Sequence, residues 1–144
     1  MILVTTSRKP AQRTRTFAKR LAYLIPGSQY VSRGKKGVAD LAEEADAEGF
    51  RRACIVCERN GSPRELRFLD TDANWTEIKR IRDAVVEKER FHQDSINITG
   101  TKIKKAEKMF DLRSDEEGEI TLKTGKTFEF IADGKRILSF ILED

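Results

Sequence analysis

The sequence predicts an α/β protein, because short apolar strands alternate with amphipathic helices in its first half and hairpin signals fill its second half. The chain has 144 residues, of which 38% are hydrophobic and 36% are charged. This length and composition predict one domain over residues 1–144 with a packed core. Within it we expect two mixed α/β halves, approximately residues 1–72 and 73–144.

The first half begins with a strand at Ile2–Thr6, and Ser7-Arg8-Lys9-Pro10 predicts the start of a helix. Thr6 or Ser7 is the expected N-cap. Pro10 suits the first helical turn, because its missing N–H would have no intrahelical partner there. Pro26-Gly27 predicts the end of the helix. The apolar stripe of this helix consists of Phe17, Leu21, Leu24 and Ile25.

Two further strand and helix signals complete the first half. A short strand at Ser28–Ser32 is followed by a basic glycine loop, Arg33–Gly37, and by a helix over Val38–Phe50 that Gly49 would end. A strand around Cys54 and another over Arg64–Leu69 flank the turn sequence Asn60-Gly61-Ser62-Pro63, which predicts a hairpin.

The second half contains one segment that pattern alone does not assign. Ile78, Ile81, Val85 and Val86 fit a helix within Trp75–Glu89, whereas Thr76–Ile81 also reads as a strand. Thr101–Phe110 predicts a basic helix. The region Glu119–Leu142 predicts three strands, broken at Thr124-Gly125 and at Asp133-Gly134, and the last strand is apolar on both faces and therefore central.

Cys54 and Cys57 form a C-x-x-C motif, which elsewhere indicates redox chemistry or half of a zinc site. Here the motif lies in a β-branched apolar strand, and residues three apart in a strand point to opposite faces. Because the two sulfurs then diverge and His92 is the only histidine, we expect buried structural thiols and no metal.

Motifs for catalysis and cofactor binding are missing from the sequence. Gly34-Lys35-Lys36 lacks the glycine spacing and the Ser or Thr of a Walker A loop, and no G-x-G-x-x-G occurs. Nothing around His92 places it beside Ser7 or a cysteine as the base of a nucleophile, and a surface position is expected for it. We therefore predict a protein that is not an enzyme and has no cofactor.

No stretch of 18 apolar residues occurs, and the opening residues lack the basic start of a signal peptide. These features predict a cytoplasmic protein with no membrane partner.

Basic residues are concentrated at the start of the chain. The formal net charge is only +4, yet the first 39 residues carry nine Lys and Arg side chains and no Asp or Glu. A patch of one sign favours a polyanionic partner, and nucleic acid is the leading candidate. With Ser7, the predicted nucleic-acid-binding residues are Arg8, Lys9, Arg13, Arg15, Lys19, Arg20, Arg33, Lys35 and Lys36.

The helix start suggests one particular phosphate site. Arg8 and Lys9 oppose the helix dipole, whereas helix stability alone would favour acidic residues there. Free amides, the hydroxyls of Thr6 and Ser7 and two cations at one helix start would bind a phosphate. The alternative is a solvated face that is merely basic. The premise of the nucleic-acid hypothesis is that the nine cations project together as one surface.

The string Thr5-Thr6-Ser7-Arg8-Lys9-Pro10-Ala11-Gln12-Arg13-Thr14-Arg15 resembles the opening of archaeal Brix-domain proteins, which are related to eukaryotic ribosome-biogenesis factors. The run Thr127–Gly134 before the last strand is similar to the end of that domain. In the opening string, Ala11 stands where a small polar residue is expected. The resemblance implies two similar halves, each like the anticodon-binding domain of class II aminoacyl-tRNA synthetases. It also implies binding of ribosomal RNA precursors in rRNA processing and subunit assembly, without catalysis.

Two other functions remain open from the sequence. In the first, the acidic helix segment Asp40–Glu48 or an exposed sheet edge docks a basic ribosomal or assembly protein. In the second, the protein is an enzyme acting on nucleotides or RNA.

Overall fold

The computed structural model describes residues 1–87 and 95–143, in which three helices and nine strands occur. The helices are α1 (Gln12–Leu24), α2 (Val38–Ala47) and α3 (Ile103–Met109). The strands are β1 (Leu3–Thr6), β2 (Gln29–Tyr30), β3 (Arg52–Arg59), β4 (Ser62–Asp70), β5 (Trp75–Val86), β6 (Ile96–Gly100), β7 (Ile120–Thr124), β8 (Thr127–Ala132) and β9 (Lys135–Glu143). The predicted mixed α/β class is confirmed.

All nine strands form one mixed sheet in the order β2-β1-β3-β4-β5-β9-β8-β7-β6. β1 pairs in parallel with β2 and β3, and β6 pairs in parallel with β7. Every other neighbouring pair is antiparallel. The predicted hairpin between β3 and β4 and the three C-terminal strands are confirmed, and β9 is central as its two apolar faces predict.

The sheet contains two ladders with the same pairing pattern. In the first, β1 is parallel to β3, and β4 and β5 follow as antiparallel neighbours. In the second, β6 is parallel to β7, and β8 and β9 follow in the same way. The ladders meet where β5 pairs with β9, so the second runs across the sheet in reverse order.

The two faces of the sheet carry different helices. Val4 contributes to a large core with residues of α1 and α3, whereas Leu3 contributes to a small core with residues of α2. Because successive strand residues point to opposite faces, α1 and α3 lie on one side of the sheet and α2 lies on the other. The α2 side is covered by that helix only near β1 and β3, where Ala53 and Ile55 complete the small core.

The large core is rich in phenylalanine. Phe140 of β9 stacks on Phe128 with ring centroids 5.3 Å apart and meets Phe17 of α1 edge-on at 6.1 Å. Phe110 bridges Phe68 and Phe130 at 6.3 and 6.2 Å. All six rings are fully buried. These contacts fix α1 and the end of α3 against the sheet, and each aromatic pair adds about 0.5–1.5 kcal/mol beyond its buried area.

The structure resolves the ambiguous segment and adds one unpredicted strand. Trp75–Val86 is strand β5, because its alternating side chains bury Ile81 and leave Ile78 exposed. The strand β6 was not predicted; it is five residues long and ends at Gly100, whose φ is +100°. A Cβ at Gly100 would overlap the carbonyl oxygen of Thr124, so the close approach to β7 requires glycine.

The start of α1 differs from the prediction. Lys9 has a φ of 53° and Ala11, the N-cap residue, is extended, so the helix begins at Gln12 rather than near Pro10. Neither Thr6 nor Ser7 caps it. Instead the Glu58 carboxylate, from β3, accepts hydrogen bonds from the Ala11 N–H at 3.0 Å and from the Thr14 hydroxyl at 2.9 Å. A cap from a distant strand is invisible to local sequence rules.

The two cysteines lie on opposite faces of β3, as predicted. Cys54 is part of the large core, and Cys57 packs against the small core and is half-buried. Both are free thiols. Burial raises the pKa of each, and Cys57 is also affected by Arg67, which lowers its pKa, and by Glu65, which raises it. A disulfide between them would require the strand to deform.

Candidate nucleic-acid interface

The outer surface of α1 carries one group of the predicted RNA-binding residues. Arg13, Arg15 and Lys19 are exposed, while Arg20 is half-buried. An Arg13 Nη1 donates a hydrogen bond to the Ser62 hydroxyl at 3.1 Å, and the Lys19 ammonium lies 5.6 Å from the centroid of the Tyr30 ring. The stripe that includes Phe17 and Leu21 faces the core and thereby directs these cations to solvent.

A second group lies in the loops that follow β1 and β2. The Arg33 guanidinium donates from Nε to the Lys36 carbonyl at 2.7 Å and from Nη1 to the Thr6 carbonyl at 3.2 Å. Arg8 approaches the same Lys36 carbonyl at 3.5 Å. Lys36 itself pairs with Glu44 of α2 at 3.2 Å. Backbone carbonyls therefore hold Arg8 and Arg33 in place without neutralising their charge.

The structure does not bring all nine cations into one surface. The α1 group lies on the side of the sheet that covers the large core, whereas Arg8 and Arg33 line a groove with Ile55 of the small core, on the α2 side. The expectation of a single basic surface was therefore wrong. The physical reason is topological: α1 and α2 cross the sheet on opposite faces, so basic residues close in sequence separate in space.

The predicted phosphate site at the start of α1 also differs in the structure. The carboxylate of Glu58 already accepts the Ala11 N–H that a phosphate would use. Thr6 is buried rather than open to a ligand, and the Ser7 N–H donates to the Val56 carbonyl at 2.9 Å. A carboxylate at a helix start satisfies the same dipole as a phosphate and excludes a second anion.

The groove on the α2 side brings in two residues that the sequence did not single out. It has a volume of about 390 Å³, and Ser7, Arg8, Arg33, Arg67 and Trp75 are among the residues that line it. Arg67 comes from β4, and Trp75, at the start of β5, is 45% exposed. The signal that could have indicated Trp75 is its position as the lone tryptophan directly after the turn at residues 71–74.

Charges around the groove are unevenly compensated. Within residues 1–87 and 95–143, neither Arg8 nor Arg33 forms an ion pair, and burial together with the Arg8 charge lowers the pKa of Arg33. Arg67 donates from Nε to Glu65 at 2.7 Å, and this hydrogen bond raises the pKa of Arg67. The groove thus has two unpaired guanidinium groups and one that is partly neutralised.

A neighbouring recess extends the same side of the sheet. It has a volume of about 420 Å³ and shares Cys57 and Arg67 with the groove. Four arginines and three glutamates contribute to its lining: Arg59, Arg64, Arg67, Arg80, Glu58, Glu65 and Glu143. Because charges of both signs alternate there, the recess is a weaker anion site than the groove.

In the ranges that the structure describes, no group of three or more His, Cys, Asp or Glu side chains could hold a metal ion. His92 lies outside those ranges. None of the helices α1, α2 and α3 is long and apolar enough to cross a membrane, which is a statement about the described residues alone.

Comparison with known proteins places the sequence similarity in part of the chain. No family model matches. A protein of Thermococcus kodakarensis, named a probable Brix domain-containing ribosomal biogenesis protein, is 40% identical over 72 residues, which is 50% of this chain and 35% of that protein. A protein of the same name from Methanothermobacter thermautotrophicus is 44% identical over 69 residues, or 48% of this chain and 41% of that protein. The bovine U3 small nucleolar ribonucleoprotein protein IMP4 is 37% identical over 62 residues, or 43% and 21%. The matches thus span less than half the length of these relatives.

The fold is similar over nearly the whole chain. The crystal structure of Mil, an archaeal Imp4-like protein, superimposes with a TM-score of 0.80 and 25% identity, covering 99% of this chain and 97% of that one. The crystal structure of a probable ribosomal biogenesis protein from Aeropyrum pernix K1 gives a TM-score of 0.76 at 23% identity, covering 98% and 93%. The second likeness shows a shared fold alone.

Proposed function

Because the resemblance to the archaeal Brix-domain proteins is confirmed by these relatives, we propose that this protein is a ribosome biogenesis factor that binds ribosomal RNA precursors. It acts in the cytoplasm by holding RNA during rRNA processing and subunit assembly, and it catalyses no reaction. We further propose that each half of the protein resembles the anticodon-binding domain of class II aminoacyl-tRNA synthetases.

One observation carries the RNA-binding part of the proposal. Arg13 and Arg15 on α1, together with Arg8 and Arg33 in the loops, form no ion pair with any carboxylate among the described residues. Unpaired cations on two sides of one sheet edge offer phosphate contacts to an RNA segment that passes around it. We retain the residues predicted from the sequence as candidate RNA contacts, now as two separate groups, and add Arg67 and Trp75 from the groove.

The crucial experiment is crosslinking of the protein to RNA in cells that express it, followed by sequencing of the retained fragments. We expect fragments of ribosomal RNA precursors to be enriched over all other transcripts. Enrichment that follows transcript abundance alone would contradict the proposed function. A variant with Arg13, Arg15 and Lys19 replaced by Ala serves as the matched control, since all three are exposed and their loss leaves the core intact.

Salt dependence tests the electrostatic part separately. If four to six cations contact phosphates of single-stranded RNA, the slope of log affinity against log salt should be about −3 to −4. A slope near zero would overturn the phosphate-contact model while leaving a role in assembly open.

The second candidate function is docking of a basic ribosomal or assembly protein. It is supported by the outer side of α2, where Glu43 and Asp46 are exposed and followed by exposed Glu48. Replacing Arg13, Arg15 and Lys19 with Glu should reduce RNA retention by roughly tenfold or more and spare capture of a basic partner. Replacing Glu43 and Asp46 with Lys should have the opposite result.

A further inference from the structure

The groove on the α2 side places a tryptophan beside two arginines that form no ion pair among the described residues. Arg8 follows β1, Arg33 follows β2, and Trp75 begins β5, so three distant segments meet at one place. Trp75 pairs with Leu69, which belongs to the small core on the α2 side. Because paired residues of neighbouring strands point to the same face, Trp75 also lies on the α2 side. An indole and two guanidinium groups thus face the same concave surface.

The cations of this groove are held before any ligand arrives. Arg33 donates to two backbone carbonyls, those of Lys36 and Thr6, and Arg8 shares the first of them. Two like charges that share one acceptor repel each other, and burial of Arg33 strengthens that repulsion. A bound anion between them would relieve it. Because two backbone carbonyls already hold the Arg33 side chain, the entropy that this side chain loses on binding is small.

Trp75 is held at a defined position but is not used by the core. The turn before it is fixed by the Asp70 carboxylate, which accepts hydrogen bonds from the N–H groups of Asp72 and Asn74, both at 2.9 Å. Val38 and Ala73 pack against the small core, whereas Trp75 is not part of that cluster. Trp75 is 45% exposed. An exposed tryptophan beside unpaired arginines offers a stacking surface for a nucleobase.

We propose that this groove binds an unpaired nucleotide of single-stranded RNA, with the base stacked on Trp75 and the adjoining phosphates contacting Arg8 and Arg33. The inference rests on the proposed function and deepens it by naming the form of RNA that is recognised. A base inside an A-form duplex is stacked between its neighbours and cannot reach the indole, so the groove selects loops, bulges and ends. The α1 surface carries the tyrosines Tyr23 and Tyr30, the second beside Lys19, but no tryptophan, and we assign its cations to the RNA backbone.

The test uses the intrinsic fluorescence of the protein, because Trp75 is its only tryptophan. The probes are a 12-nucleotide single-stranded RNA of mixed sequence, the same strand in a blunt duplex, and a ribose-phosphate strand of equal length without bases. We expect the single strand to quench the emission of Trp75 on binding. The duplex and the abasic strand should bind through phosphates and leave the emission unchanged.

Substitutions locate the contact. Replacement of Trp75 by Ala should weaken single-strand binding roughly 5- to 150-fold, the range that corresponds to loss of one base stack, and leave duplex binding unchanged. Trp75→Phe should restore much of the affinity. Arg8→Gln should reduce the salt slope for the single strand by about 1. The matched control is Ile78→Ala, since Ile78 lies on the same strand, is 53% exposed and does not line the groove.

Two results would overturn the inference and differ from failure of the proposed function. Equal affinity of the Trp75→Ala variant and the parent protein for single-stranded RNA, with no quenching in the parent, would show that RNA binds elsewhere. Quenching by a phosphorylated peptide but not by RNA would assign the groove to another ligand class. If the parent protein bound none of the RNA probes, the proposed function itself would fall.

Discussion

The two faces of the sheet are built from the same strands but have different surroundings. Along β4, Leu66 and Phe68 enter the large core beneath α1 and α3, while Arg67 between them faces the groove on the other side. Of the three described helices only α2 lies on that second face, and it covers one end. Because strand residues alternate between faces, one element stabilises the fold through Leu66 and Phe68 and lines a groove through Arg67.

The most destabilising change that we predict lies in the large core. Phe140→Ala removes a ring that stacks on Phe128 and meets Phe17, and we expect the free energy of unfolding to fall by about 3–5 kcal/mol. The matched change on the open face, Ile78→Ala, should cost less than about 1 kcal/mol. Urea unfolding followed by circular dichroism measures both. Equal losses for the two variants would contradict the division between the faces.

The next effect compares the two basic groups. Reversal of Arg13, Arg15 and Lys19 to Glu should weaken binding of single-stranded and duplex RNA alike, by roughly tenfold or more, and reduce the salt slope by about 2 to 3. Fluorescence anisotropy at several salt concentrations provides the measurement. A loss of affinity for single-stranded RNA alone would mean that α1 contacts bases, which contradicts its assignment to the RNA backbone.

A smaller effect concerns the start of α1, where a carboxylate from β3 caps the helix. Glu58→Ala leaves the Ala11 N–H and the Thr14 hydroxyl without that acceptor, and we expect a loss of about 1–2 kcal/mol in the free energy of unfolding. Glu48→Ala, at the exposed residue that follows α2, is the control and should change stability by less than about 0.5 kcal/mol. A Glu58 variant as stable as the parent would mean that water caps the helix equally well.

The last prediction concerns the chemical reactivity of the two cysteines and involves no substitution. Burial raises the pKa of both thiols, so the reactive thiolate is scarce and neither cysteine should react rapidly with iodoacetamide at pH 8. Cys57, which is half-buried, should react faster than the fully buried Cys54, and both should react freely in urea. Mass spectrometry of the native and denatured protein distinguishes the two sites. Identical native rates would contradict the difference in burial between the two thiols.

Local chemistry predicted much of the fold. The alternation around Cys54 and Cys57, the hairpin turn at Asn60-Gly61 and the sharp break at Asp133-Gly134 each depend on neighbouring residues alone, and each was confirmed. By contrast β5 could not be assigned from its pattern. One face of β5 is exposed to solvent and carries charged residues, so its sequence lacks a clear strand pattern. Its pairing with β4 and β9 shows that the segment is a strand.

The candidate site was predicted less completely, for a topological reason. Arg8 and Arg33 were identified from the excess of basic residues, but the same reasoning grouped them with Arg13 and Arg15 of α1. Trp75 and Arg67 reach the groove through strand pairings whose partners are distant in sequence, so no local pattern relates them to Arg8. Charge composition indicates a polyanionic ligand. It does not indicate on which side of the sheet each cation lies, because that depends on the folded chain.

The central position of β9 has a consequence for synthesis. Residues Lys135–Glu143 are made after the other eight described strands, yet they connect β5 to β8. A nascent chain that has released the β1–β5 ladder from the exit tunnel therefore presents the hydrogen-bonding edge of β5 to its surroundings until β9 emerges. During that interval the edge is open to pairing with a second nascent chain.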